Sequence, residues 1–317
     1  MQVLVTGSQG YLGSHLVEAL LASGHGVHGL SRSPIGLLPA SVTQQPAYRG
    51  FCGSFADAEA LAEALAGCQV CVHLGWGSLP QTSNADPQGD LQLNLLGTLR
   101  LIEACGRAGV ERLVFVSSGG TVYGLPQAVP VPETHPTEPT CAYGISKLAA
   151  EKYLSLYAQR LGLRVVTLRV ANPYGGRQRL DAAQGAVAVF LGRALRGEPL
   201  EIWGDGSVVR DFVALADVLA ALQQAVDYTA SAAAGSHRVF NIGSGEGLSL
   251  NRLVVLLDES LGLCQEPCYL PGRSFDVPVS VLCIERAGRE LGWRPQQGVE
   301  AGIRSFYRRF RMPLASG

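Results

Sequence analysis

An α/β fold is predicted for this chain, a doubly wound parallel sheet joined to a smaller mixed α/β C-terminal substrate domain. Three observations predict it. Short β-branched runs alternate with amphipathic helical patterns through the first half. A glycine-rich turn, Thr6 to Gly13, joins the first such run to the first helical pattern. Past Asn172 the alternation lapses into Gly/Pro-rich connections. Strand–helix alternation implies right-handed crossovers and helices on both faces of a parallel sheet.

Taken in order, Val3 to Thr6 reads as a strand, and Leu12, Leu16, Ala19 and Leu20 share one helical face. Gly24 and Gly26 supply stop signals before a strand at Val27 to Leu30. A helix carrying Leu61 and Leu65 precedes a strand at Val70 to Leu74, and a helix from about Leu91 to Ala108 precedes a strand at Arg112 to Ser117. A helix over about Ala142 to Leu161 and a strand at Arg164 to Val170 complete the regular part. Beyond it come short strands around Leu200 to Trp203 and Val208 to Phe212, and helices near Ser249 to Leu263 and Val299 to Phe310. The stretch from about Phe212 to Ile242 again reads helix then strand and returns to the first sheet. The expected division is therefore interleaved: residues 1–172 with about 212–243 form the dinucleotide-binding domain, and about 173–211 with 244–317 the smaller one.

Composition narrows the function classes. The 317 residues are 47% hydrophobic and 16% charged, the reverse of a disordered composition. Lys+Arg 25 against Asp+Glu 26 leaves no cationic surplus for nucleic acid or an anionic membrane surface. No apolar run reaches the ~18 residues of a spanning helix, and Met1 leads straight into a strand-like segment, so a soluble cytoplasmic protein is expected. The eight cysteines are scattered, which favours reduced thiols. Cys68 and Cys71 enter a strand instead of opening a helix and have no second ligand pair at comparable spacing, so they read as core thiols and no metal site is expected.

The turn Thr6-Gly7-Ser8-Gln9-Gly10-Tyr11-Leu12-Gly13 follows a strand and opens a helix, the setting in which glycines admit a pyrophosphate to helix N-terminal N–H groups. At the end of the second strand a carboxylate would select NAD by binding its ribose hydroxyl. Here Leu30 is followed by Ser31 and Arg32, so NADP stands as the alternative to NAD, with the guanidinium on a 2'-phosphate or stacked on adenine.

Tyr143 and Lys147 are i and i+4 at the start of a helix and project from one face. A phenol of pKa ~10 is a poor base at neutral pH, and a neighbouring ammonium favours its ionised form. Lys147 and Lys152 are the only lysines in a chain otherwise using arginine, which singles out the one at this spacing. The strand ending at Ser117 runs into Ser118-Gly119-Gly120-Thr121-Val122-Tyr123-Gly124, where a hydroxyl can share a proton with Tyr143 at the ligand-binding end of the sheet.

The G-x-x-G-x-x-G spacing with Tyr143/Lys147 is similar to the extended short-chain dehydrogenases/reductases. With Val72-His73-Leu74, Asn94 to Thr98, Ser117 to Gly124, Arg169 to Gly175, Trp203 to Phe212 and Pro271 to Pro278, the chain resembles the NAD-dependent epimerase/dehydratase family over nearly its whole length. Within it the likeness is to UDP-glucose 4-epimerases and related nucleotide-sugar 4-epimerases. The resemblance implies a Rossmann-type first domain, a homodimer formed through the helices at about 91–108 and 142–161, and a UDP-sugar substrate. It implies cofactor contacts at Gly7, Gln9, Gly10, Tyr11, Leu12, Gly13, Ser31, Arg32, Ser54, Phe55, Leu74, Gly75, Trp76, Asn94, Ser117, Tyr143 and Lys147, and catalysis by Tyr143 and Lys147 with Ser118 and Thr121. Substrate contacts fall on Asn172, Tyr174, Arg210, Arg273 and Asp276, with guanidinium forks suited to a diphosphate.

Three positions depart from the family pattern. Gly119 stands where a proton-shuttling Ser or Thr is usual, which moves that role to Ser118, to Thr121 or to water; Ser54 and Cys283 each replace an aspartate. The expected reaction is epimerisation at C4 through a transient 4-keto sugar. Two other readings stay open, an NADPH-dependent nucleotide-sugar 4-ketoreductase, favoured by Ser31-Arg32, and a non-catalytic dinucleotide-sensing protein. Dehydration is disfavoured because Thr121 is followed by Val122 and Tyr123 instead of an Asp-Glu pair. Arg177, Gln178 and Gln184 are further candidates for the sugar pocket.

Overall fold

β1 (Gln2–Thr6) runs through the middle of a seven-stranded, all-parallel sheet. In the computed structural model, which describes residues 1–181, 185–229, 233–264, 266–272 and 277–310, α1 (Tyr11–Ala22) leads to β2 (Gly26–Ser31), and a short α2 (Ala40–Thr43) leads to β3 (Tyr48–Cys52). α3 (Ala58–Leu65) returns to β4 (Val70–His73). The next crossover holds α4 (Pro80–Ala85), α5 (Pro87–Asp90), a π-helical stretch Leu91–Leu96 and α6 (Gly97–Ala108) before β5 (Arg112–Ser118). α7 (Ala142–Leu161) then leads to β6 (Arg164–Val170).

The smaller part contains β7 (Asn172–Tyr174), α8 (Ala186–Leu195), β8 (Leu200–Trp203) and β9 (Val209–Ala214). α9 (Leu215–Asp227) and β10 (His237–Ile242) carry the chain back to the large sheet, where β10 pairs with β6. β11 (Gly247–Ser249), α10 (Leu250–Leu261), β12 (Pro267–Leu270), β13 (Val279–Ser280) and α11 (Val299–Arg308) follow. β9 is flanked by β11 and β13 and also pairs with β7, and β12 lies beside β8.

The large sheet runs β10-β6-β5-β4-β1-β2-β3. Chain order reverses at β1, which opens a crevice between the C-terminal ends of β1 and β4, the place where such sheets bind ligands. Side-chain alternation sorts the core: Val3, Val5, Val72 and Val114 face α1 and α9, while Leu4, Cys71, Leu113 and Phe115 face α3, α6 and α7. Cys68, Cys71 and Cys105 are buried free thiols on the second face. A separate apolar cluster centred on Leu200, Phe212, Leu256, Ile303 and Tyr307 holds the smaller part together. No helix among the described residues is long and apolar enough to cross a membrane.

Among the differences from expectation, two bear on the site. β3 is absent from the sequence reading because it is an edge strand paired only with β2; Arg49, Gly50 and Cys52 are exposed, so no apolar alternation marks it. The expected continuous helix from Leu91 is π-helical as far as Leu96, and Asn94 Nδ2 there donates to Asp90 Oδ1 at 2.8 Å.

Candidate active site

The turn after β1 is closed by Gly10 N donating to Gly7 O at 2.9 Å and Gly7 N donating to Leu30 O at 2.8 Å. Gly7 has φ +71°, and a β-carbon there would stand 3.0 Å from Gly75 N, so the loop touches the end of β4 through glycine. Gly10 caps α1 without a side-chain hydrogen bond, leaving the first-turn N–H groups, including those of Tyr11, Leu12 and Gly13, turned to the crevice end of the helix. Gln9 Nε2 donates to Pro34 O at 3.3 Å, its Oε1 accepts from Leu38 N at 3.3 Å, and its N–H points at Ser31 Oγ, 3.4 Å away. Beside them lies a cavity of about 310 Å³ lined by Ser8, Gln9, Ser31, Ser33 and Tyr48, with no carboxylate on its wall. Arg32 is exposed next to it. A glycine contact, an uncapped helix end and a hydroxyl-lined cavity together fit a dinucleotide.

The end of β4 is held by a relay. Gly75 N donates to Thr6 Oγ1 at 3.1 Å, Thr6 Oγ1 is 2.8 Å from His73 Nδ1, His73 Nε2 is 3.1 Å from Thr98 Oγ1, and Thr98 Oγ1 donates to Asn94 O at 2.6 Å. Burial, and secondarily the charge of Lys147, pushes His73 down to about 3, so the ring is neutral and its partners assign the proton to Nε2. Phe55 packs edge-on against His73 at 4.9 Å, and half-buried Leu74 follows the strand, which ends at His73, one residue short of the expected Leu74.

Tyr143 and Lys147 sit on the first turns of α7 over this end of the sheet. Lys147 is buried; its Nζ donates to Val116 O at 2.7 Å and lies 3.8 Å from the Trp76 ring, 4.8 Å from Phe115 and 5.7 Å from Tyr143. Trp76 packs edge-on to Tyr143 at 6.1 Å, and its indole N–H meets no acceptor among the described residues. Burial pushes the ammonium down to about 7, against the opposing charges of Glu151 and Asp90. Burial likewise pushes the Tyr143 phenol above its ordinary value, helped by Cys141 and Asp90. The lowering of this phenol by Lys147 expected from their spacing is not seen in this arrangement, in which the ammonium is turned to the Val116 carbonyl and burial is the largest influence on the phenol.

The remaining candidates separate into groups. Ser118, the last residue of β5, and Thr121, just beyond it, are half-buried, and Thr121 Oγ1 has no partner among the described residues. Ser117 faces the other way and donates to Glu151 Oε1 at 2.5 Å. Asn94 is wholly buried and its amide is engaged with Gly77 N at 2.7 Å, Ser78 Oγ and Asp90, so it shapes the loop after β4 and has no free polar atom of its side chain to offer. Ser54 Oγ accepts from Ala56 N at 3.1 Å within a local turn. Asn172 Nδ2 donates to Asp211 O at 2.8 Å, and Arg210 Nη1 donates to Val277 O at 2.5 Å, beside a second cavity of about 340 Å³ bordered by Trp203, Ser207 and Gly272. Tyr174 is displaced from its expected role: it is buried against Phe306 in the smaller core, where its ring completes the packing. Arg177 leaves the sugar pocket for α1, pairing with Glu18 at 2.9 Å and Ser14 Oγ at 3.2 Å. Arg273, Asp276 and Gln184 lie outside the described residues.

Sequence reasoning missed Asp90, Thr6, Glu151 and, as a functional side chain, His73. Asp90 carries a signal in hindsight, a carboxylate one helical turn before Asn94 in an apolar run. Glu151 follows Lys147 by four residues, the same spacing that marked Tyr143.

Comparison with known proteins agrees with this geometry. Residues 3–243 match the NAD dependent epimerase/dehydratase family. A protein of Mycolicibacterium smegmatis named UDP-glucose 4-epimerase is 36% identical, with 98% of this chain and 99% of that protein covered. The crystal structure of a UDP-glucose 4-epimerase from Thermotoga maritima with UDP-glucose superposes with a TM-score of 0.89 at 36% identity, covering 98% of this chain and 99% of that one. A Thermus thermophilus UDP-glucose 4-epimerase in complex with NAD has a TM-score of 0.88 at 35% identity, covering 98% and 100%.

Proposed function

The chain belongs to the NAD dependent epimerase/dehydratase family, and from that membership we propose that it is a nucleotide-sugar 4-epimerase that uses NAD and acts on a UDP-hexose or its N-acetylated form. The observation that carries this reading is the placement of Tyr143 and Lys147 beside the Gly7–Gly75 contact, at the crevice of the parallel sheet. Bound NAD supplies the hydride acceptor and donor for C4 of the sugar. The chain's own residues bind, orient and move the proton. The uncapped start of α1 binds the pyrophosphate. Tyr143 would take the proton from the C4 hydroxyl and return it, and Lys147, here bonded to the Val116 carbonyl, would hold the nicotinamide ribose and, turned towards the phenol, favour its ionised form. With glycine at position 119, Ser118 or Thr121 supplies the hydroxyl beside Tyr143. Asn172, Arg210 and, outside the described residues, Arg273 hold the nucleotide diphosphate as the sugar turns, while Asp276, also outside them, is a further substrate contact.

The same reading takes the division at 1–172 with 212–243 and 173–211 with 244–317 as cofactor and substrate parts. It takes the free cysteines as those of a cytoplasmic enzyme. Exposed Leu91 and Leu96 on the π-helical stretch leading into α6, and exposed Ile145, Tyr153 and Leu156 on α7, support a homodimer built on those helices. The decisive experiment incubates the purified protein with UDP-glucose, UDP-galactose and their N-acetylated forms. Conversion at C4 without net cofactor consumption is expected. Stoichiometric NADPH oxidation with a 4-keto sugar, and no interconversion, would replace this reading by the ketoreductase.

A further inference from the structure

Asp90 is a buried carboxylate that reaches four parts of the chain around the acid/base pair. Its Oδ1 accepts from Ser83 Oγ at 2.9 Å, from Asn94 Nδ2 at 2.8 Å and from Ser78 Oγ. Its Oδ2 accepts from Ser146 Oγ. Ser146 is itself buried and stands between Tyr143 and Lys147 on the opening turns of α7. The four donors come from the loop after β4, from α4, from the π-helical stretch and from α7. α7 has no side-chain cap at Cys141, so the Asp90–Ser146 bond is a side-chain restraint on the turn that carries both Tyr143 and Lys147.

We propose that Asp90 is the positioning residue of the acid/base pair, fixing the first turn of α7 through Ser146 and tying it to the loop that follows β4. This rests on the reading of Tyr143 and Lys147 given above. The carboxylate also sets the charge around them. Tyr143 faces Cys141 and Asp90, with Lys147 one turn along its own helix. Lys147 faces Asp90, Glu151 (itself clamped by Arg169) and the neutral His73. A negative charge at position 90 raises the pKa of both the phenol and the ammonium.

Two variants separate the roles. In Asp90→Asn the retained oxygen still accepts from Ser78, Ser83 and Asn94, and the new amide can donate to Ser146 Oγ, so geometry is kept and charge is lost. In Ser146→Ala the charge is kept and the restraint is lost. With UDP-glucose and UDP-galactose as probes, Asp90→Asn is expected to move the acid limb of the kcat profile to lower pH by about half a unit or more. Ser146→Ala is expected to lower kcat about tenfold with the limb unmoved and KM within about twofold. An unmoved limb in folded Asp90→Asn, or an unchanged kcat in Ser146→Ala, overturns the proposal; if Asp90→Asn does not fold, Ser146→Ala alone decides. Tyr143→Phe is run alongside. If it is inactive while the other two behave as wild type, Asp90 has no positioning role and the site stands. If it is fully active, the site itself is misassigned and the proposal falls with it.

Discussion

Leu282 fills the space in front of Gly119: a β-carbon on Gly119 would stand 2.5 Å from Leu282 Cδ1 and 3.1 Å from the Arg169 carbonyl oxygen. Leu282 is buried among Val122, Tyr123 and Val131, so its side chain has little room to move. The loss of a hydroxyl at position 119 is therefore matched by apolar volume from another segment. Gly119→Ser is expected to destabilise the protein by about 1–3 kcal/mol through overpacking. Adding Leu282→Ala should recover part of that loss despite its own cavity, a non-additivity read from a urea-denaturation cycle of the four proteins. Simple additivity would show that the two positions do not compete for space.

Glu151 and Arg169 form a buried pair behind the site, with Arg169 Nη2 2.6 Å from Glu151 Oε2 and the Ser117 hydroxyl on the same carboxylate. Both side chains are almost fully enclosed, so removing one partner strands the other charge. Glu151→Gln or Arg169→Met is expected to cost about 3–5 kcal/mol in urea denaturation. A cost below about 1 kcal/mol would place the pair in the class of solvent-screened surface bridges.

His73 makes stability depend on pH with a definite sign. Its folded-state value of about 3 lies below its ordinary 6.5, so between those limits the unfolded chain binds the extra proton. The contribution is fully present above pH 6.5 and is lost as pH falls towards 3. His73→Leu should be less stable at neutral pH, because Thr6 and Thr98 lose their partner, yet its urea midpoint should fall less steeply than wild type from pH 6.5 to about 4. Parallel slopes would contradict a neutral, buried His73.

Leu156 is 48% exposed on α7, next to exposed Tyr153 and on the helix that also exposes Ile145. Leu156→Glu places a charge on the surface assigned to self-association, at a side chain that is already exposed to solvent. Sedimentation velocity is expected to show a dimer for the wild type and a monomer for the variant, with the melting temperature of the dilute protein little changed. A wild-type monomer, or a dimer in both proteins, would move the interface off this face.

Much of the site was legible because its signals are local. The glycine turn, the Tyr143–Lys147 spacing and the strand leading to Ser118 are each contained in a few consecutive residues, and each lies at the crevice end of the sheet. Resemblance placed Asn94, Ser117 and Tyr174 near ligands, but these are positions where a side chain has two directions to choose from. Asn94 and Ser117 are engaged by Asp90 and Glu151, and Tyr174 by the smaller core. β3 escaped because an edge strand needs only one partner and so imposes little pattern on its residues.

By itself, the sequence determined the alternating architecture, the family and the pair of residues fit for acid/base chemistry, since periodicity and short spacings are written along one dimension. Only the tertiary structure decided what surrounds that pair. Asp90 is 56 residues from Ser146, Thr6 lies 67 from His73, and Leu282 comes from the far end of the chain to fill the space at Gly119. Burial in that assembled environment, and not the Tyr143–Lys147 spacing, sets the phenol high and the ammonium low, because desolvation depends on every segment that packs against a group.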